Sequence, residues 1–363
     1  MSNRSIIKGR GAQTHISNRF DRFTHESDPE FLEFCRLEGE EAETGKTKFL
    51  EVFPKSIVNK VDSPDVGMEY SMNPYQGCEH GCVYCYARNT HEYWGYNPGL
   101  DFEKNILIKK NAALLLEEKL KSRSWKGNTI VLSGNTDCYQ PAEQKYRLTR
   151  ECLKVFLKYR HCTGIITKNA FLLRDLDLLT ELNHHRLIGI NISITTLDEN
   201  LRRMLEPRTA SIAKRLQTVK ILTDAGIPVN VMIAPIIPAL NSQEILPLAE
   251  AAADHGASSI GFTVVRLNGA IGRIFTEWAH TTIPDRAERV LNQIKACHGG
   301  QLNDSRFGVR SKGEGEVARQ LHQLIALAKR KYFRNQKFKP LNHELYTEFK
   351  TLNKNPDQLR LFQ

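Results

Sequence analysis

Residues 78–86 read Cys78-Glu79-His80-Gly81-Cys82-Val83-Tyr84-Cys85-Tyr86. Three residues and then two separate the cysteines, a spacing compact enough to bring three thiolates to one iron–sulfur cluster. It supplies one ligand fewer than a four-iron cluster has irons, whereas ferredoxin clusters take four cysteines. Three ligands leave one iron open. An open coordination position is where a substrate or cosubstrate binds; a closed one is structural or carries electrons. Other readings compete on these residues alone. The triplet could belong to a zinc knuckle, with His80 or a remote residue as fourth ligand. It could also be a chance grouping in a chain that holds eight cysteines.

Outside the triplet, the composition narrows the class. At 363 residues and 40% apolar, the chain can bury one large core or two modest ones. No stretch is apolar enough to span a bilayer; the best, residues 227–240, is interrupted by Pro228, Pro235 and Pro238. The opening Met-Ser-Asn-Arg-Ser-Ile-Ile-Lys has no hydrophobic signal core, so a cytoplasmic protein is expected. Cys35, Cys152, Cys162 and Cys297 are scattered singly, a pattern of reduced thiols and not of a disulfide framework. The formal charge of +10 is uneven: between Arg306 and Pro340 ten Lys or Arg face two Glu, so that window supplies +8. Phe307, Tyr332, Phe333 and Phe338 are interleaved with these charges. The window reads as a solvated basic helix end, as a surface for nucleic-acid phosphates, or as a dock for an acidic electron donor.

Residues 1–60 are polar and patternless apart from apolar patches at 31–34 and 49–53, and are expected to form an extended, partly wrapping arm with at most short helices. From about 68 to 268 the text alternates. Short β-like runs at 70–75, 129–133, 163–167, 187–195, 228–235 and 258–265 are each followed by a helix-period segment. After Arg208, Ser211 can cap a helix whose one face holds Ile212, Leu216, Val219 and Leu222, and Gly226-Ile-Pro228 stops it. Leu176, Leu179 and Leu182 repeat at spacing three. Six strands alternating with helices predict βαβ units and a parallel sheet in an α/β fold. Hydrophobic period does not say whether that sheet curls into a barrel or lies open and doubly wound. Two further helical patterns, at 284–297 and 316–331, precede an irregular tail. The expected organisation is an N-terminal extension over 1–65, an α/β core over 66–270 and a helical, basic C-terminal extension over 271–363.

In α/β barrels the chemistry gathers at the carboxyl ends of the strands, where the loops converge on one mouth. Here the first run leads into Gly77-Cys78, the second ends in Ser133-Gly-Asn-Thr-Asp137, and the third in Thr167-Lys168. The fourth ends in Ser193-Ile-Thr195, and the fifth, over 229–234, is apolar. Polar residues at successive strand ends would be odd in a purely structural sheet, although Lys168 and Ser193 could each be plain exposed loop residues.

Tyr84 and Tyr86 flanking Cys85, the Thr136-Asp137 turn, Lys168, Ser193, Glu206-Pro-Arg208 and the block Ala225-Gly-Ile-Pro-Val…Ala234-Pro-Ile-Ile-Pro-Ala-Leu-Asn241 carry a resemblance. Over residues 66–330 the chain resembles the radical S-adenosylmethionine (SAM) superfamily, and in detail its spore photoproduct lyase-like (DNA repair photolyase-like) branch. Asp304-Ser-Arg-Phe-Gly…Gly313-Glu-Gly315 is similar to an uncharacterised bacterial subgroup of that branch. The resemblance implies a partial (β/α)6 barrel, a 4Fe–4S cluster on Cys78, Cys82 and Cys85, and SAM chelating the fourth iron. It implies SAM contacts from Tyr84, Tyr86, Thr136, Lys168, Ser193 and Ala234, with Lys168 toward the carboxylate, the Ser193 and Thr195 hydroxyls toward the ribose, and the fifth strand against adenine. It further implies reductive cleavage of SAM to a 5′-deoxyadenosyl radical that abstracts hydrogen from substrate, with flavodoxin or ferredoxin as electron donor.

The resemblance falters at the substrate. The lyase proper returns hydrogen from a cysteine just ahead of its Thr/Ser-Asp turn, and Gly134 stands at the matching position here. Cys138, four residues on, reads either as a relocated hydrogen donor or as a small core cysteine. The substrate is therefore open, a nucleic-acid base among the candidates. The competing functions are a zinc-stabilised nucleic-acid-binding protein and an electron-transfer iron–sulfur protein whose cluster Cys138 closes.

Overall fold

The computed structural model describes residues 7–14, 16–20, 46–334 and 339–352. The apolar patch at 31–34, Cys35 and Phe338 lie outside the described residues. Ten strands occur in chain order: β1 (Lys48–Val52), β2 (Val58–Lys60), β3 (Tyr70–Met72), β4 (Tyr75–Gln76), β5 (Asn105–Lys109), β6 (Ile130–Leu132), β7 (Thr163–Thr167), β8 (Ile188–Ser193), β9 (Val229–Ile236) and β10 (Ser259–Val264). All six strands read from the sequence are present, as β3 and β6–β10.

The main sheet runs β10-β9-β8-β7-β6-β3-β2, and every neighbouring pair from β3 through β10 is parallel. This order decides between the two α/β architectures. A doubly wound sheet reverses its strand order at a switch point; here the order is monotonic. With right-handed crossovers, a monotonic order puts the connecting helices on one face, and the sheet curls around its other face. The two edges, β10 and β2, are not hydrogen-bonded to each other, so the barrel is partial and open on one side.

The core lies between strands and helices. Ile130, Ile165, Ile190, Val231 and Ile260 pack with Leu116, Phe156, Leu179, Val219 and Leu248 from helices Ala112–Lys121, Leu148–Lys158, Leu176–His184, Ile212–Asp224 and Ile245–Asp254. Ser211 caps its helix, its side chain accepting from Lys214 N. Strand alternation then sends Gly164, Gly189 and Gly261 to the barrel's inner face. A Cβ on Gly189 would meet nothing within 4 Å. The interior there is roomy.

The segment before β3 departs from the expected arm. β1 pairs parallel with β5, β5 pairs antiparallel with β4, and β2 extends the main sheet antiparallel to β3. These residues had no strand alternation to read, because β1 is a short edge whose burial is only partial. Two helices also go beyond the sequence reading, Ala270–Thr282 and Glu344–Leu352. Among the described residues no helix is long and apolar enough to cross a membrane.

The open side of the barrel is covered. The backbone of Ser311 accepts from Val264 N (2.9 Å) at the β10 edge. From the same loop, Arg310 pairs with Asp65, and Gly308 N donates to the same carboxylate. Asp65 precedes β3, so this contact joins the two sides of the gap.

Candidate functional site

The cluster loop starts where β4 ends. Gly77 (φ +79°) and Gly81 (φ +68°) both take the left-handed region, and a Cβ on Gly77 would fall 2.9 Å from the Asn105 carbonyl. Cys78 N donates to Phe102 O (2.8 Å). Gln140 holds the loop from the far side, accepting from Glu79 N and donating to Gly77 O, each at 3.0 Å. Behind it, Arg88 and Glu103 form a fully buried ion pair at 2.5 Å, and Arg88 Nε donates to Cys82 O (3.0 Å).

The first residues of the chain complete this support. Gly11 N and Ala12 N donate to the two carboxylate oxygens of Glu103 (3.1 and 2.8 Å), and Arg10 donates to the Glu103 carbonyl (2.6 Å). Gly11 lies so close to Gly81 that a Cβ would sit 1.7 Å from the Gly81 oxygen. The arm thus seals the back of the cluster loop, a role its bland composition did not signal. We expect Gly11→Val to displace the arm and to make a reconstituted cluster bleach faster in air, followed by visible absorbance.

Cys78 and Cys82 are buried, Cys85 is half-buried, and all three are free thiols. Burial, before any other cause, pushes each thiol up, and Cys78 is raised further by Asp137, Cys82 and Cys85. The three are therefore near neighbours, and the proton must be displaced by a soft metal for any of them to ionise. Among the described residues no three His, Cys, Asp or Glu side chains converge on the position of one ion. Three soft thiols supplied by one short loop are the ligand type that iron–sulfur clusters take. The donor set fits a 4Fe–4S cluster.

Around the loop, the strand ends assemble as follows. Asp137 accepts from Thr167 Oγ1 (2.8 Å), Lys168 N (2.8 Å) and Tyr139 N (2.9 Å), with His80 Nδ1 at 3.4 Å. It ties β7 to the cluster loop. Burial lowers the His80 pKa, so the imidazole is neutral near pH 7. Glu206, wholly buried, accepts from Tyr84 Oη, Thr195 Oγ1 (2.5 Å) and Arg215 (2.6 Å). Burial alone would raise the Glu206 carboxyl, but Arg215, Lys168 and the two hydroxyls hold it at about 2. Lys168 Nζ lies 5.9 Å over the Tyr84 ring. Burial disfavours its charge, yet Glu206 and Cys82 hold the ammonium above its ordinary pKa. Arg215 also donates to Ser193 O (3.0 Å).

Of the residues singled out in the sequence, Tyr84, Lys168 and Ser193 are thus drawn together around Glu206. Tyr86 is half-exposed and donates to Gly134 O (2.9 Å); Thr136 is buried and donates to Tyr75 O (3.0 Å); Ala234 is half-buried on β9. Thr195 gives its hydroxyl proton to Glu206, so it could meet a ribose hydroxyl only as an acceptor. Cys138 is 1% exposed within the main core beside Tyr139 and Cys152, the setting of a small core thiol, the second of the two readings the sequence offered. The sequence reading missed Arg215, which looks like one more surface charge on an amphipathic helix.

The profile of the Radical SAM superfamily matches residues 72–252 of this architecture. The chain belongs to that superfamily. Radical SAM enzymes use a 4Fe–4S cluster and SAM and need a reductant, so this protein is an enzyme, and the zinc-protein and simple electron-carrier readings give way. An uncharacterised protein of Mycobacterium tuberculosis is 33% identical over 244 residues, 66% of this chain and 72% of that one. One of Methanocaldococcus jannaschii is 32% identical over 201 residues, 55% of this chain and 72% of that one. A spore photoproduct lyase variant solved with AdoMet and dinucleoside spore photoproduct superposes with a TM-score of 0.60 at 16% identity, covering 85% of this chain and 94% of that one. That likeness is one of fold.

Proposed function

We propose that Cys78, Cys82 and Cys85 hold the three protein-bound irons of the cluster, and that SAM binds the remaining iron among Tyr84, Tyr86, Lys168, Ser193 and Ala234, with Thr136 fixing the turn beside them. The observation that carries this reading is the convergence of Tyr84, Lys168 and Ser193 on the buried Glu206–Arg215 pair next to the three thiols. When bound, the cluster and SAM supply a one-electron cleavage of the sulfonium and a radical that takes hydrogen from substrate. The chain's own residues bind and orient. Lys168 presents a charge to a carboxylate, Glu206 and Arg215 fix the Tyr84 ring and the end of β8, and Gly189 leaves open space on the inner face. A nucleic-acid base is the substrate favoured by the fold neighbour that holds a dinucleoside photoproduct. Dithionite-reduced protein with SAM should yield 5′-deoxyadenosine, and SAM should change the reduced cluster's EPR signal; no change would end this reading. Lys168→Ala should weaken SAM binding by roughly 1–3 kcal/mol, the range for losing one charge-assisted bond, measured by equilibrium dialysis.

The basic window is split by the fold. Helix Gly315–Tyr332 buries Ala318, Leu321, Ile325 and Ala328, and leaves Lys329, Arg330 and Lys331 exposed, followed by exposed Arg334. It begins beside β10's carboxyl end and its 18 residues span about 27 Å. The chain beyond it docks at the opposite end of the barrel, where Asn342 N donates to Arg186 O just before β8. The cluster loop and these four cations therefore lie at opposite ends. We expect alanines at the four to flatten the salt dependence of nucleic-acid binding in filter assays, while reduction by an acidic flavodoxin or ferredoxin keeps its rate. Slower reduction would return them to the role of donor dock.

A further inference from the structure

Arg266 follows β10 directly, at the carboxyl end of the last barrel strand. Its Nε is buried without a hydrogen-bond partner, and among the described residues its guanidinium has no ion pair. Three further buried amide oxygens without partners come from three segments: Asn268 Oδ1 after β10, Asn89 Oδ1 and Asn303 Oδ1. They are neighbours by contact. Asn89 Nδ2 donates to Asn268 O (2.9 Å), and Leu267 N donates to Leu302 O (3.0 Å). Asn89 belongs to the 3-10 helix Tyr86–Trp94 that leaves Cys85, so the group is tied to the segment that follows the cysteine triplet. Arg310 stands on the other side, stacked 4.3 Å over the exposed Phe307 ring. Asp65 pairs directly with Arg310 and acts on Arg266 only from a distance, so two guanidinium groups share one carboxylate. Burial lowers the Arg266 pKa first and Arg310 second, while Asp65 and Tyr86 oppose them, so all four share one neighbourhood.

Half-buried charges are normally paired, because removing an unpaired ion from water costs several kcal/mol. A buried guanidinium nitrogen and three buried amide oxygens without protein partners call for partners from outside the chain, an ordered water, an ion or a ligand. We propose that Arg266, flanked by Arg310, is the oxyanion subsite of the substrate pocket: it takes a phosphate or carboxylate carried by the substrate, and Asn89, Asn268 and Asn303 accept from hydroxyl or amino groups next to that anion. The subsite sits beside Tyr86, whose hydroxyl rests on Gly134 O, so the anion enters at the mouth by the covered open side. This rests on the reading of the mouth as the radical SAM site.

The test is calorimetric titration of anaerobically reconstituted protein with inorganic phosphate, and separately with acetate, at ionic strength fixed by chloride. At least one of the two ions should bind saturably to the native protein, and Arg266→Gln should weaken it about tenfold or more, as for loss of a charge-assisted contact. Arg266→Lys, which keeps the charge but not the fork, should fall between the two. Phosphate without acetate assigns a phosphate ester; acetate without phosphate assigns a carboxylate. Binding of neither ion, or equal binding by Arg266→Gln, overturns the subsite. The same native preparation is tested for the SAM-induced EPR change. If that change is present and no anion binds, only the subsite fails; if it is absent, the underlying reading fails whatever phosphate does.

Discussion

Alanine at Cys78, Cys82 or Cys85 should abolish the brown colour and the bound iron of anaerobically reconstituted protein while leaving its far-UV circular dichroism intact. Each removes one thiolate of three, and the groups beside the loop, His80 and Asp137, are hydrogen-bonded or paired with each other and are poorer ligands for iron–sulfur clusters than a thiolate. The fold should survive, because none of the three packs in the main core between sheet and helices; Cys82 and Cys85 border a second cluster, and Cys78 a small one. Losing a small side chain there costs about 1 kcal/mol. Cys138→Ala is the matched control. It should keep its iron and lose stability instead, since Cys138 lies in the main core. Loss of iron from that variant as complete as from the other three would end the three-ligand assignment.

The second large effect is on stability. Glu206 and Arg215 are each 0% exposed and pair at 2.6 Å. Glu206→Ala would leave Arg215 buried without its carboxylate, and removing one partner of a buried pair costs about 3–5 kcal/mol. The loss should appear in urea melts as a lower midpoint with an unchanged slope. Acid should reproduce part of it. The folded-state pKa of Glu206 lies below the ordinary 4.5, at about 2, so its contribution is fully present above pH 4.5 and fades as pH falls toward 2. A midpoint within 0.5 kcal/mol of native, about the scatter for surface substitutions, would mean that the pair does not hold the site together.

What the sequence made legible follows from how each feature is encoded. The six barrel strands are short β-like runs separated by amphipathic helices, so the repeat reveals them. The helix Ala270–Thr282 was passed over in the sequence although Ile271, Ile274, Phe275, Trp278 and Ala279 lie on one buried face. Its pattern follows the last strand directly and continues the alternation. β1 and β5 were less legible, because they pair with each other across more than 50 residues, and partial burial blurs β1's alternation. In the site, the cysteines declare themselves by spacing. Arg215, Glu103 and Arg266 do not, because a charge bound for the interior looks like any other charge until its partner, or its lack of one, is seen in space. Cys138 shows the converse: its place beside the Thr136-Asp137 turn suggested chemistry, and its burial is the setting of a core thiol.

The arm that seals the cluster loop also orders events in time. Gly11, Ala12 and Arg10 bind Glu103 across 91 to 93 residues, and Thr14 binds Glu277 across 263. Residues 10–14 are synthesised before the barrel yet can dock only after the barrel and the helix behind it exist, since contacts at such separations form late. While the chain is growing, the back of the cluster loop stands open. Finishing the molecule closes it.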